Sequence, residues 1–194
     1  MLRQPIIVFD TETTGRDATQ CGILTLGAVV LTPELEIERP LTIRQYIDPE
    51  KVLCEPQAFM VNNINLEEHN SRPDTLLPRD AQLCFHDYVR NVKLDYGMRF
   101  DSPIRFMGWN VAFDLAFLEK FQANLYQNPL AITFAGAKID VQSDINRLYM
   151  EGKIDCRAVK LDKVADYFGI PLQAHDALED ATATAKIYKI IRNL

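Results

Sequence analysis

The sequence is short of what several protein classes require. It has no apolar run approaching the ~20 residues that cross a bilayer, and its start, MLRQPIIVFD, lacks a basic stretch followed by an apolar one. Neither membrane insertion nor export is expected, and a cytoplasmic location is. Cysteine is scarce: Cys21, Cys54, Cys84 and Cys156 stand far apart without a C-x-x-C pair, so neither a zinc ribbon nor a thiol redox motif is encoded. A basic excess is also missing, since 21 Lys and Arg against 27 Asp and Glu leave a net charge of −6. That balance argues against gripping duplex DNA by phosphate contacts alone. With no repeat, low-complexity tract or Gly/Ser linker, the 194 residues are expected to form one domain, 1–194.

What is present begins as strands. PIIVFD (5–10), GILTLGAVVLT (22–32) and IERPLTIRQYI (37–47) are rich in β-branched residues, with a hairpin turn expected at PEL (33–35). A short helical piece starts at Pro56, the segment 63–78 reads as a polar loop, and AQLCFHDYVRNVKL (81–94) has helical periodicity. Strands at SPIRFMGW (102–109) and AKIDV (137–141) then alternate with a helix over 110–126 and helices near 142–151, 160–168 and 177–193. The pattern predicts an α/β protein with a mixed five-stranded sheet, its first three strands antiparallel and its later strands parallel, flanked by helices on both faces.

Three placements of carboxylates break the ordinary rules of core and surface. In IIVFDTETTG, period-2 geometry puts Ile6, Val8, Asp10 and Glu12 on one face, so two acids end an apolar strand. A bland alternative stops the strand at Asp10 and leaves TETTG as a solvated turn. In NVAFDLAFLEKF, Asp114 shares a helical face with Phe117, Leu118, Phe121 and Leu125 while Glu119 points away. Such an acid needs either backbone N–H groups near the helix start or a cation. In AHDALEDATATAKIY, His175 and Asp180 cannot share a helical face, but they can converge if His175 sits in the lead-in and the helix starts near Asp176 or Ala177. Asp176 is a candidate cap, and the run of alanines keeps that helix thin.

Gathering Asp10, Glu12, Asp114 and Asp180 without counter-charge is unfavourable, each like pair at 4 Å repelling by roughly 4 kcal/mol at an effective dielectric of 20. No Lys or Arg in these motifs is placed to neutralise them. Hard divalent cations would, because Mg²⁺ takes oxygen ligands and bridges carboxylates to phosphate. A pair of such ions about 3.5–4 Å apart stabilises both the attacking and the leaving oxygen of a phosphoryl displacement.

At these residues the sequence resembles the DEDDh, or DnaQ-like, 3′–5′ exonucleases, the family that includes the proofreading subunit of bacterial replicative DNA polymerase. The resemblance rests on VFDTETTG (8–15), GWNVAFDLAFL (108–118) and HDALED (175–180), in order and across most of the chain. PQAFMVNNI (56–64) and LDKVADYFGIP (161–171) are similar to further stretches of the family. The resemblance implies a ribonuclease H-like fold and two divalent cations, Mg²⁺ with Mn²⁺ able to substitute, on Asp10, Glu12, Asp114 and Asp180. It implies His175 as general base and nucleoside 5′-monophosphates as products. It also implies a terminal-nucleotide pocket of Thr13, Thr14, Phe59, Val61 and Asn62, with Asn110 and Phe113 beside the second motif.

The chain departs from the family pattern at three positions. Trp109 stands where a His often precedes the Asn, Asn62 where a His is frequent, and Asn63 where Gly is usual. Asn tolerates positive φ, so that turn is expected to survive. The end at Leu194 directly after the last helix leads us to expect a free-standing enzyme without a polymerase-binding tail. The expected partner is the 3′ end of single-stranded DNA, with RNA 3′ ends as the rival substrate and a DNA polymerase or other replication or repair protein as a candidate partner. A non-catalytic nucleic-acid or polymerase-binding module is the reading from a different class.

Overall fold

Strand β1 (Ile6–Thr13) runs through both acids of the first motif. TETTG is therefore not a solvated turn after Asp10. Ile6 and Val8 face one side and Ile7 and Phe9 the other, all four fully buried. The structure is a computed structural model that describes residues 1–99, 101–123, 138–158, 160–173 and 175–194. Strand β2 (Ile23–Leu31) is buried along its whole length and pairs antiparallel with β1, and β3 (Ile37–Gln45) pairs antiparallel with β2 across the expected turn. In that turn Leu35 is left-handed, at φ 68°, and donates its N–H to the Thr32 carbonyl.

Two short helices follow, α1 (Pro56–Asn62) and α2 (Leu66–Ser71), then a two-residue strand β4 (Thr75–Leu76) parallel to β3. The sheet thus has six strands rather than five, and the segment 63–78 is not simply a loop. A strand of two residues is too short for alternation to register, and β4 exists because β3 offers it backbone partners. Helix α3 (Pro78–Asp95), strand β5 (Arg105–Gly108), helix α4 (Val111–Ala123), strand β6 (Ile139–Asp140) and helices α5 (Val141–Met150), α6 (Leu161–Tyr167) and α7 (Ala177–Ile191) complete the described fold. The order is β4-β3-β2-β1-β5-β6, with β5 parallel to β1 and β6 parallel to β5. Residues 124–126 of the expected helix, Leu125 among them, and residue 137 of the expected strand lie outside the described residues.

The central strands are covered on both faces, as their near-continuous apolar sequence requires. Ile7 and Phe9 pack with Phe85 and Val89 of α3 and Leu115 and Leu118 of α4. Ile6, Val8 and Met107 pack with Val141 and Ile145 of α5, Val164 of α6 and Ala183 and Ile187 of α7. Among the described residues no helix is long and apolar enough to cross a membrane.

One contact positions the third motif. Gly27 pairs across from Asp10, and a Cβ at Gly27 would collide with the backbone of Ala177 and Leu178 at the start of α7. Absence of a side chain there lets the helix bearing Asp180 lie directly on the sheet beside Asp10. Gly27→Ala is expected to push α7 off β2, at about 1–3 kcal/mol of overpacking, or about 2–10 °C in Tm. A thermal melt checks this, and an unchanged Tm would refute the close approach.

Candidate active site

Three elements deliver the four acids. Asp10 and Glu12 share a face of β1, and the pairing with β2 slips between Glu12 and Thr13. The slip leaves Leu24 of β2 as the extra residue opposite the Glu12–Thr13 step, an irregularity of a kind common next to active sites. Asp114 sits in the first turn of α4 and is 3% exposed. Its Oδ1 accepts both the backbone N–H of Thr11, at 3.0 Å, and the Thr11 hydroxyl, at 2.6 Å. Asp114 is thus anchored to β1 rather than satisfied only at its own helix start.

In the third motif Asp176 caps α7, accepting from the N–H groups of Leu178 and Glu179. His175 precedes it in a left-handed conformation, φ 71°, and its backbone N–H donates to Asp180 Oδ2 at 3.2 Å. Asp180 is buried and Oδ1 of its carboxylate has no hydrogen-bond partner. Glu12, His175 and Asp180 each offer a ligating atom within 4.8 Å of the others. His175 itself is exposed.

Burial and neighbouring carboxylates raise the pKa of all four acids. Burial first, then the charges of Asp114, Asp180 and Glu12, hold the Asp10 carboxyl well above its ordinary range. Burial and then Asp180 and Asp114 push Glu12 up to about 7. Asp114 rises to about 7 through burial, against the opposing hydrogen bonds from Thr11, and Asp180 to about 6 through burial, against the N–H of His175. Among the described residues no ion pair includes any of these four acids. Clustered carboxylates and an orphaned buried oxygen fit hard divalent cations, which would relieve the repulsion that protonation otherwise relieves.

Two cavities meet at Glu12. One, of about 420 Å³, is lined by Thr13, Val61, Asn62, Asn110 and Phe113 together with Glu12. Five of the seven expected pocket residues are therefore brought together. Two are not. Thr14 is fully buried, its hydroxyl donating to the Leu53 carbonyl and accepting the Gly22 N–H, so its side chain holds the turn instead of lining the pocket. Phe59 is half-buried and does not line this cavity. Asn62 also has a structural task, donating to the Thr13 carbonyl and accepting from the N–H of Ile64. Asn63 ends α1 at φ 53°, the conformation for which Gly would be usual. The second cavity, about 200 Å³, has Arg44, His69 and Arg72 on its wall, none of which stands in a recognisable motif.

A ribonuclease H-like sheet with an acid cluster at the ends of β1, α4 and α7 is the arrangement that the resemblance to the DEDD-type nucleases implies. The chain is 26% identical over 196 residues to the 3′-5′ DNA exonuclease Cap18 of Escherichia coli, covering 99% of this chain and 94% of that protein. It is 30% identical over 186 residues to a PolC-type DNA polymerase III of Clostridium perfringens, covering 94% of this chain but spanning only 11% of the polymerase. Among solved structures, E. coli exonuclease I in complex with a dA16 oligonucleotide superposes with a TM-score of 0.80 at 17% identity, over 98% of this chain and 41% of that one. No family model matches the chain. The resemblance read from the sequence is thus matched by relatives named as a 3′-5′ DNA exonuclease and PolC-type polymerases and by the fold of exonuclease I.

Proposed function

We propose that this protein is a metal-dependent 3′–5′ exonuclease that removes nucleoside 5′-monophosphates from the 3′ ends of single-stranded DNA, acting as one domain. The observation that carries this reading is the convergence of Glu12, His175 and Asp180 within 4.8 Å, with Asp10 and Asp114 beside them. DNA is favoured because the full-length relative is named a DNA exonuclease and exonuclease I is seen with DNA oligonucleotides.

In this reading Asp10, Glu12, Asp114 and Asp180 hold two divalent cations, Mg²⁺ or Mn²⁺, which when bound supply Lewis acidity and charge neutralisation at the phosphodiester. His175 takes the proton from the attacking water, imidazole being the side chain that exchanges protons near working pH. Its exposed position lets it pass that proton to solvent. Thr11 holds Asp114 in place through two hydrogen bonds to one oxygen. The Val61 and Phe113 wall takes the terminal base, and Asn62, by tying α1 to the Thr13 carbonyl, sets the width of that pocket.

The test offers 5′-labelled single-stranded DNA and RNA of one sequence to the protein with Mg²⁺, with Mn²⁺ and with EDTA. A metal-dependent ladder shortening from the 3′ end is expected, faster on DNA. A faster RNA ladder would reassign the substrate, and binding of both strands without shortening would sink the enzyme reading. The residues that line up with a polymerase segment also make a polymerase a candidate partner, since the PolC-type relatives carry their matching stretch inside a polymerase chain.

A further inference from the structure

The second cavity is absorbed by none of these roles. It shares Glu12 with the terminal-nucleotide cavity and reaches His175 and Asp176, but its far wall carries Arg44, from β3, and Arg72, just after α2. Asp74 joins the two arginines: Arg44 Nη1 donates to Asp74 Oδ2 at 2.6 Å and Arg72 Nε to Asp74 Oδ1 at 3.1 Å. Each guanidinium has five N–H donors in a fixed fork, so one bond to a shared carboxylate orients it and leaves the rest available. Their side chains keep 26% and 45% of their surface open to solvent. Two cations share one carboxylate here, so each guanidinium is held in place without being fully neutralised by Asp74.

Other acids on this wall are already engaged or belong to the cation site. Asp176 accepts from the first N–H groups of α7, and Glu12 is one of the clustered acids. Glu68 is the remaining carboxylate on the cavity. His69, buried and bonded through Nε2 to the Gln45 carbonyl at 3.0 Å, has its pKa lowered by burial and then by Arg44 and Arg72.

A strand whose scissile phosphate lies at the acids has one nucleotide on each side of it. The cavity with Val61 and Phe113 suits a base, whereas the arginine cavity suits a phosphate. Resting on the exonuclease reading above, we propose that Arg44 and Arg72, clamped by Asp74, bind the phosphodiester upstream of the scissile bond. They would draw in the single strand that the chain's overall charge repels, and fix its register for each successive cut. These are binding residues, and they touch no reacting atom.

The experiment compares Arg44→Gln, Arg72→Gln and the charge-retaining Arg44→Lys on two substrates in Mg²⁺: a single-stranded DNA oligonucleotide, and thymidine 5′-monophosphate p-nitrophenyl ester, which has no upstream phosphodiester. Each Gln variant is expected to raise KM for the oligonucleotide about ten-fold and to flatten the log KM against log salt slope by about 0.7. On the ester the losses should be much smaller, and Arg44→Lys should recover the salt slope. Arg99→Gln, which removes an exposed cation paired with Asp101 elsewhere, is the control. Equal losses on both substrates, or wild-type KM and salt slope in the Gln variants, would overturn the proposal. If wild-type protein cuts nothing, the exonuclease reading fails by itself. Fluorescence anisotropy then decides the arginines separately, unchanged oligonucleotide binding by the variants overturning them.

Discussion

Replacing His175 is expected to slow removal of 3′ nucleotides by about 10²–10⁴-fold while leaving Mg²⁺ affinity within a few-fold of wild type. The reasons lie in where the residue sits. Its backbone N–H, which any replacement retains, is the group that bonds Asp180 Oδ2, so the acids stay arranged when the ring is lost. The ring is exposed, and Mg²⁺ prefers oxygen ligands to imidazole. Choice of substitution matters because position 175 has φ 71°, where most side chains are strained and Asn is not. His175→Asn is therefore the cleaner variant beside His175→Ala, keeping the backbone conformation and removing the proposed base. Single-turnover cleavage and a Mg²⁺ titration followed by Tm separate the two roles. A ten-fold or greater loss of metal affinity in His175→Asn would make the ring a ligand, and unimpaired cleavage would remove it from the chemistry.

Asp10→Asn should have opposite effects on stability and on activity. In the metal-free protein Asp10 has its pKa raised by burial and by the charges of Asp114, Asp180 and Glu12. A carboxyl whose folded-state pKa exceeds its unfolded value favours the folded state while protonated, and that advantage is lost as pH rises through the folded value. With unfolded values near 4 and folded values of about 7 for Glu12 and Asp114 and about 6 for Asp180, metal-free stability should fall between about pH 4 and pH 7. Each pKa unit corresponds to about 1.4 kcal/mol, and at this chain length each kcal/mol to about 2–4 °C.

Asp10→Asn removes one of these crowded titratable groups, so it should raise the Tm of the metal-free protein at pH 7.5 by at least about 3 °C. It should also lower cleavage by about 10³-fold or more, because the proposed cation site would lose one of its oxygens. Mg²⁺ at a hundred-fold excess over its Kd should stabilise wild type by about 2.7 kcal/mol at pH 7.5 and far less at pH 5, where protons compete for the same oxygens. Melts at pH 5 and pH 7.5 with EDTA and with Mg²⁺ check all of this. A metal-free Tm that does not fall with pH, or an Asp10→Asn variant less stable than wild type at pH 7.5, would contradict the crowding of acids on which the site rests.

The sequence by itself determined the local half of this protein. Period-2 spacing placed Asp10 and Glu12 on one face, 3.6-residue spacing turned Asp114 inward, and the break before Ala177 left His175 in a lead-in with Asp176 as cap; each depends only on nearest neighbours along the chain. Asn63 likewise kept the left-handed turn usually given to Gly, because its own φ preference suffices. Tertiary structure alone decided what depends on residues far apart. The seat of α7 on Gly27, the anchoring of Asp114 by Thr11, and the burial of Thr14 under Leu53 join positions that no local pattern couples. The sixth strand and the Arg44–Asp74–Arg72 wall are of the same kind. A two-residue strand and a shared carboxylate have no periodicity of their own; they exist only where another segment supplies the partner.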